Sequence, residues 1–297
     1  MAGEPPTEQA PAPSLPGSAV LVTGGASGIG LGLAHALAAR GAACVALVDI
    51  EEAALGAAVR QLAAAVPGVE VAGLAADVTD RGALDRAVGE AVERFGPLSV
   101  ACLNAGVFAG GHLWETTDDD WDWVMGVNVR GVVNGVRAVV PRMVDAGVPA
   151  RIMVTASVAG VVASPVSAPY VVSKFAAVGI AESLHHDLQL SGNTHVSVSV
   201  ICPAMVATSI GDSVRNRPAE LPDATDTPGT AMARIGIEDA MSRGLDPMEG
   251  GRNAVSQSFD LNRFYVSTHP VELWERLVGP ENDDRLAGRP PRFQMYE

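Results

Sequence analysis

The stretch Thr23-Gly24-Gly25-Ala26-Ser27-Gly28-Ile29-Gly30 decides the fold. It lies between an apolar run, residues 19–22, that predicts a buried strand and an Ala/Leu-rich segment, residues 30–39, that predicts a helix. A tight turn at such a junction needs residues without Cβ, and the N–H groups of a helix N-terminus bind pyrophosphate. A lone glycine pattern is a weak signal, but here the strand and the helix both lie where a dinucleotide-binding turn requires them.

Short apolar runs alternate with helical segments from this turn to residue 201. We predict further strands at 44–48, 69–75, 98–103, 151–155 and 195–201, and helices between them at 51–65, 81–95, 118–146 and 169–190. Thr117 is the expected N-cap of the helix at 118–146. Strands that are apolar on both faces and alternate with helices form a parallel sheet covered on both sides, so the fold class is α/β with a Rossmann-type doubly wound sheet.

The chain of 297 residues divides into one large domain and three distinctive segments. Residues 1–17 are proline-rich and polar and predict a flexible tail, whereas residues 18–279 form the single catalytic domain. The rhythm of strands and helices breaks after residue 201, and residues 204–251, rich in Pro, Gly, Asp, Thr and Met, are expected to form a substrate lid with only short helical pieces. A helix at 252–259 and a strand at 263–267 follow, and residues 280–297 are a C-terminal extension.

Composition excludes several classes of protein. With 20 basic and 34 acidic side chains the net charge is −14, which argues against nucleic-acid or basic membrane-surface binding. No apolar run approaches the ~18 residues of a membrane span, and the N-terminus has no signal-peptide pattern, so we expect a cytoplasmic protein. Cys44, Cys102 and Cys202 are sparse and unpaired in spacing, which supports neither disulfides nor a metal site.

The predicted nucleotide end favours NAD over NADP. Asp49 closes the second strand, where a carboxylate can accept hydrogen bonds from both ribose hydroxyls of the adenosine and would repel a 2′-phosphate. Neither Ser27 nor Ile50 offers a positive charge to such a phosphate. Asp77-Val78 after the third strand and Asn104-Ala105-Gly106 after the fourth are further candidate contacts, although each is also an ordinary turn composition.

Three polar residues form the predicted catalytic part of the site. Tyr170 and Lys174 are four residues apart on a helix, so the phenol and the ammonium share one face. A nearby cation favours the phenolate form of a tyrosine. Ser157 follows the fifth strand, at the edge where open α/β sheets place their ligands. Lys174 is also the only lysine in the chain.

From about Val20 to Thr208 the sequence resembles a classical short-chain dehydrogenase/reductase. The resemblance is carried by the Thr-Gly-x-x-x-Gly-x-Gly turn, the Asn-Ala-Gly at 104–106, Asn128, Ser157, Tyr170 and Lys174, all in the expected order. It implies a strand order of 3-2-1-4-5-6-7 and a homodimer or homotetramer. It further implies that Pro203, Val206 and Thr208, after the sixth strand, contact the cofactor. Two departures are an Ala204 where the family usually has glycine and the absence of the usual Gly-Gly after the last strand.

The resemblance also implies a catalytic tetrad. Tyr170 would be the general acid/base, Ser157 would hydrogen-bond the substrate oxygen, Lys174 would bind the nicotinamide ribose and lower the pKa of Tyr170, and Asn128 would hold a water of a proton relay. In the implied strand order the three cysteines lie on strands that are not adjacent, beyond disulfide reach.

Apolar residues of the lid suggest the substrate. They are Met205, Val206, Ile210, Met232, Ile235, Met241 and Met248. Flexible thioethers suit an adaptable apolar pocket, although the same residues could simply pack the lid onto the domain. We therefore expect an NAD-dependent enzyme that interconverts a hydrophobic secondary alcohol and its ketone. An NADPH-preferring carbonyl reductase and a non-catalytic NAD-binding module are the alternatives.

Overall fold

The computed structural model describes residues 9–222 and 226–292. A parallel sheet of seven strands runs through them in the order β3-β2-β1-β4-β5-β6-β7, which confirms the predicted fold class and strand order. The strands are β1 Ala19–Thr23, β2 Cys44–Asp49, β3 Glu70–Ala75, β4 Val100–Leu103, β5 Ala150–Thr155, β6 Val196–Ile201 and β7 Tyr265–Val266. The α-helices are α1 Gly28–Ala39, α2 Glu52–Ala65, α3 Arg81–Phe95, α4 Asp118–Met125, α5 Gly131–Ala146, α6 Ala168–Leu190, α7 Pro228–Ser242, α8 Pro247–Phe259 and α9 Val271–Leu286.

Successive residues of the central strands pack into two different cores. Along β1, Leu21 belongs to the core that helices α3, α5 and α6 cover, whereas Val20 and Val22 belong to the core beneath α1, α2 and α8. All residues of β1, β4, β5 and β6 are buried, as expected of parallel strands covered on both faces. The loops that follow the strands therefore gather at one edge of the sheet, where the glycine turn also lies.

The helix predicted at 118–146 is interrupted. Thr117 caps α4 through a reciprocal capping box with Asp120, as predicted for the N-cap. One π turn, Gly126–Arg130, then separates α4 from α5. It contains Asn128, and π turns inside helices are frequently found at functional sites. Hydrophobic periodicity is nearly the same on both sides of such a turn, so the sequence pattern predicts one unbroken helix.

The described part of the lid, residues 204–222 and 226–251, is more regular than its composition predicts. It contains a 3₁₀ segment at Ser209–Asn216 and the continuous 15-residue helix α7 in place of short helical pieces. Thr227 forms a capping box with Thr230 at the N-terminus of α7, and Pro228 occupies the first turn, where proline costs no hydrogen bond. Local capping chemistry therefore starts a helix that the glycine-rich composition conceals.

Helix α9 crosses residue 280, the expected start of the C-terminal extension. Leu277 and Val278 of α9 are buried against Val158 and Val162, in the segment that follows β5. Cys44 and Cys102 lie on β2 and β4, and Cys202 directly follows β6; these strands are not neighbours in the sheet, and all three cysteines are free. In residues 9–222 and 226–292 no helix is long and apolar enough to span a membrane.

Candidate active site

The glycine turn between β1 and α1 leaves no space for a side chain at Gly24 or Gly30. Gly24 has a φ of +63°, and a Cβ there would lie 2.8 Å from the Cα of Ala105. A Cβ on Gly30 would lie 2.0 Å from the carbonyl oxygen of Gly24. Ser27, the N-cap of α1, makes no side-chain cap, and the first turn holds no acidic residue. The N-terminus of α1 thus presents backbone N–H groups to the cleft, which is the arrangement that a pyrophosphate needs.

The carboxylate of Asp49 lies beside this turn at the end of β2. Its Oδ2 accepts a hydrogen bond from the backbone N–H of Ala26 at 3.0 Å, and its Oδ1 accepts one from the N–H of Glu51 at 3.1 Å. Ile50 is half exposed between the two acidic residues. The structure therefore places Asp49 next to the turn, where the sequence predicts the adenosine ribose.

The ends of β3 and β4 complete this wall of the cleft. Asp77 accepts a hydrogen bond from the N–H of Thr79 at 2.8 Å, and Val78 is buried beside it. The side chain of Asn104 donates to the carbonyl oxygens of Thr23 and Gly24, at 3.1 and 3.2 Å. The amide of Asn104 thus ties the glycine turn to β4, so its own contribution to the site is to hold the turn in place.

Lys174 and Tyr170 meet at the other end of the cleft. The Lys174 side chain is only 3% exposed, and its Nζ donates to the carbonyl oxygen of Thr155, the last residue of β5, at 3.1 Å. The same Nζ lies 5.5 Å from the centre of the Tyr170 ring. Burial lowers the pKa of Lys174 to about 8. A Cβ on Gly106 would lie 3.3 Å from this Nζ, so a larger residue there would press on the ammonium.

Ser157 lies in the turn that follows β5. Its Oγ accepts from the N–H of Ala159 at 3.1 Å and donates to the carbonyl oxygen of Pro203, the second residue after β6, at 3.3 Å. The 3₁₀ turn Val158–Gly160 begins here and packs against α9. The ends of β5 and β6 and the C-terminal helix therefore jointly position this hydroxyl.

Asn128 lies beneath the floor of the cleft and is fully buried. Its Oδ1 accepts from the N–H of Val107 at 2.8 Å, and its Nδ2 donates to the carbonyl of Val107 and to the Oγ of Ser173, both at 2.9 Å. Both amide N–H groups are therefore used by the protein. Asn128 anchors the segment after β4, and any water would have to bind Oδ1 or the backbone instead of Nδ2.

One cavity of about 1410 Å³ joins the two ends of the cleft. Most of the predicted site residues line it, namely Gly24, Ser27, Gly28, Ile29, Asp49, Ile50, Asp77, Val78, Asn104, Ala105, Gly106, Ser157, Tyr170, Lys174, Pro203, Val206 and Thr208. Two others, Gly30 and Asn128, lie behind its wall, and their contacts are those described above. The volume exceeds the 300–1,000 Å³ typical of pockets for a single small molecule, so it suits a dinucleotide together with a second molecule.

Five of the seven apolar lid residues line this cavity, and two do not. The five are Met205, Val206, Ile210, Met232 and Met241. Met248 instead packs against the core beneath α1, and Ile235 is 66% exposed. For Met248, the alternative of packing onto the domain holds, because α8 begins at Pro247 and turns this side chain toward α1.

The cavity also has walls that the sequence did not reveal. Phe108 packs on Tyr170 with ring centres 5.3 Å apart. Trp114 stacks on His112 at 4.8 Å and is 81% exposed at the mouth of the cavity. The lid residue Arg217 pairs with Asp120 at 2.8 Å. No local motif in the sequence marks these residues.

Lid residues also reach the ribose end. Arg215 and Asn216 both bind the carboxylate of Glu51, two residues after Asp49. These hydrogen bonds hold the pKa of Glu51 below its usual value. The lid is therefore attached to the segment after β2 through Glu51 as well as to α4 through Asp120.

Known proteins resemble this chain in sequence and in fold. The family model described as short chain dehydrogenase matches residues 18–219. The chain belongs to the short-chain dehydrogenase/reductase family. A curated relative, the CLA biosynthesis dehydrogenase/reductase of Lactiplantibacillus plantarum, is 34% identical over 84% of this chain and 87% of its own. The C alpha-dehydrogenase of a Sphingobium species is also 34% identical, over 84% of this chain and 79% of its own.

A solved structure agrees over almost the whole chain. It is a short chain dehydrogenase/reductase from Burkholderia phymatum in complex with NAD, 36% identical, with a TM-score of 0.89 over 96% of this chain and 99% of its own. The resemblance inferred from the sequence is thereby confirmed. The present chain is an NAD-dependent oxidoreductase that acts on CH–OH groups. The alternative of a non-catalytic NAD-binding module is therefore set aside.

Proposed function

We propose that this short-chain dehydrogenase/reductase interconverts a hydrophobic secondary alcohol and its ketone, with NAD as the preferred cofactor. The observation that carries the proposal is the convergence of Tyr170, Lys174 and Ser157 on one end of a single cavity whose other end holds the glycine turn and Asp49. Nicotinamide supplies hydride transfer when it is bound. Everything else in the reaction falls to the side chains of this chain.

In this proposal Tyr170 moves the proton of the substrate hydroxyl. Lys174, with a charged ammonium 5.5 Å from the phenol ring, favours the phenolate and binds the nicotinamide ribose. Ser157 donates a hydrogen bond to the substrate oxygen as negative charge develops there, and for this its hydroxyl must give up its bond to Pro203. Asn128 holds the segment after β4 and, through its Oδ1 or its backbone, a water of the proton relay.

The preference for NAD rests on charge at the ribose end. Asp49 supplies a carboxylate that can accept from the two ribose hydroxyls and repel a 2′-phosphate. Asp77, Val78 and the Asn104-Ala105-Gly106 segment would bind the adenine side and the middle of the cofactor, while Thr208, in contact with Gly28, would meet the nicotinamide. A preference for NADPH is the alternative, and titration of both reduced cofactors decides between them.

The apolar walls support a hydrophobic substrate. Met205, Met232 and Met241 of the lid and the rings of Phe108, Trp114 and Trp123 line the same cavity as Tyr170. Aromatic and thioether side chains adapt to bulky apolar molecules. Turnover of apolar cyclic or aryl secondary alcohols is expected, and turnover of small polar polyols alone would contradict this part of the proposal. By analogy with the family, we also propose a homodimer or homotetramer.

The role of Tyr170 is tested by Tyr170→Phe. This change removes the hydroxyl and keeps the ring that packs on Phe108. NADH binding, followed by fluorescence, should persist, whereas kcat should fall about 10²- to 10⁴-fold because general acid–base catalysis is lost. Phe108→Leu is the control for disturbed ring packing, and it should retain most of kcat. Unchanged turnover in Tyr170→Phe would refute the assigned role.

A further inference from the structure

The ribose end of the cavity contains a cation that comes from the lid. The Nε and Nη2 of Arg215 donate to Oε1 of Glu51 at 3.2 and 2.8 Å, and the Nδ2 of Asn216 donates to the same oxygen at 2.8 Å. Arg215, Asn216 and Glu51 all line the cavity. The sequence places these residues 164 and 165 positions apart, so no local pattern predicts the contact.

The ion pair of Glu51 and Arg215 lies beside Asp49. The backbone N–H of Glu51 donates to Oδ1 of Asp49 at 3.1 Å, so the two carboxylates belong to one short segment at the end of β2. The remaining nitrogen of Arg215, Nη1, donates to the carbonyl oxygens of Ser209 and Asp212 at 3.0 and 2.8 Å. Four of the five N–H groups of the guanidinium are thus used, two by carbonyl oxygens of the lid and two by Glu51.

A guanidinium at this place would suit NADP if it were free. Its planar fork of donors matches a phosphate, and such charge-assisted contacts are among the strong ones. Glu51 occupies the two donors, Nε and Nη2, that face the end of β2. A 2′-phosphate would therefore meet the carboxylate of Asp49 and find the nearest cation already paired.

We propose that Glu51 is a second determinant of cofactor specificity, because it sequesters Arg215 and so denies the guanidinium to a 2′-phosphate. This inference rests on the proposed preference for NAD. Asp49 repels the phosphate, and Glu51 withholds the group that would attract it. Removing Asp49 alone should then weaken NADH binding without producing a good NADPH site.

The test measures binding of NADH and NADPH by fluorescence titration, which does not require turnover. Four variants are compared with the wild type: Asp49→Ser, Glu51→Gln, Asp49→Ser/Glu51→Gln and the same double variant with Arg215→Gln added. Glutamine keeps the shape of Glu51 and an oxygen for Asn216, and it removes the charge. Glu52→Gln, at the exposed neighbouring acid, is the matched control and should change neither affinity.

The double variant should bind NADPH about tenfold or more tighter than Asp49→Ser does, as expected for one released charge-assisted contact. The gain should disappear when Arg215→Gln is added. Thermal melting of each variant verifies that it is folded. No gain from Glu51→Gln in the Asp49→Ser background, or a gain that survives Arg215→Gln, would overturn the inference. Tighter binding of NADPH than NADH by the wild type would instead refute the proposed NAD preference itself.

Discussion

The glycine turn and the lid face each other across one cavity, but they are held in place by different means. The turn uses eight consecutive residues, and its geometry is determined by close contacts within its own backbone and with Asn104 and Ala105, the two residues that follow β4. The lid is held by polar side chains far away in the sequence. Arg217 binds Asp120 across 97 positions, Arg215 binds Glu51 across 164, and Thr227 binds Glu115 across 112.

This difference suits the roles that we propose for the two regions, with the turn binding the cofactor and the lid adapting to the substrate. A turn built from backbone contacts tolerates little change and leaves almost no freedom, which suits a cofactor of constant shape. Contacts between long side chains can form and break with modest changes in free energy, which suits a segment that opens for a substrate. Substitutions in the turn should therefore be far more damaging than substitutions in the lid.

The largest effect is expected for Gly30→Ala. The added methyl group would lie 2.0 Å from the carbonyl oxygen of Gly24 and 2.6 Å from the amide nitrogen of Asn104, so the turn would have to move away from β4. We expect the free energy of unfolding to fall by more than about 4 kcal/mol and NADH binding to be lost. Urea denaturation and NADH fluorescence measure the two effects.

Gly179→Ala is the matched control, because Gly179 also lies inside a helix but a Cβ there would have no neighbour within 4 Å. It should stabilise the protein by roughly 0.5 to 1 kcal/mol, since alanine loses less entropy in a helix. If Gly30→Ala kept wild-type stability and NADH affinity, close packing of the turn would not be what determines the cofactor end.

A smaller effect is expected from the pH dependence of Lys174, which lines the cavity that the glycine turn and the lid share. Burial lowers its pKa to about 8 in the folded protein, against an ordinary value of 10.5. Between these two values the unfolded chain binds more protons than the folded one, so stability rises with pH across this window and the cost of burying the ammonium is greatest below pH 8. The contribution amounts to about 3 kcal/mol.

Comparison with Lys174→Met isolates this contribution, because both proteins share every other titrating side chain. The free energy of unfolding of the wild type, minus that of the variant, should increase by about 3 kcal/mol between pH 7 and pH 10.5 in urea titrations without cofactor. A difference that stays constant with pH would mean that water or a mobile environment keeps this lysine at its ordinary pKa.

Much of the fold followed from the sequence because its causes are local. Fully apolar strands, the glycines at 24, 28 and 30 and the cap at Thr117 each act within a few residues, and all of these predictions agree with the structure. The π turn around Asn128 was missed, since one extra residue in a helical turn leaves the hydrophobic pattern almost unchanged.

The residues of the candidate site also divide into those that the sequence reveals and those that it does not. Tyr170, Lys174 and Ser157 are recognisable because their spacing and their place after a strand carry the chemistry, and the structure brings them to one end of the cavity. Glu51, Phe108 and Arg217 are not recognisable, because nothing within ten residues of each announces its partner. Contacts between residues far apart in the sequence create their roles, and for the same reason the sequence could not decide whether Met248 lines the pocket or packs on the domain.

The smallest effect is expected from the lid itself, with Arg217→Met. The guanidinium of Arg217 is 6% exposed, the paired carboxylate of Asp120 is 8% exposed, and Arg217 also lies over the ring of Trp123 at 5.4 Å. Removing one partner of a buried pair leaves an uncompensated charge, but the lid can relieve it by opening. We expect the free energy of lid opening to fall by about 2 kcal/mol, seen as faster hydrogen exchange in residues 209–222, with little change in global unfolding.

Arg243→Met is the matched control, because Arg243 belongs to the same lid and pairs with Asp239, but both side chains are more than half exposed. An exposed pair contributes at most about 1 kcal/mol, so hydrogen exchange should change little. If the two variants opened the lid equally, the buried pair would have no special role, and the other contacts of the lid would hold it in place. If Arg217→Met unfolded the whole domain instead, the lid would be as integral to the fold as the glycine turn, and the contrast between the two regions would fail.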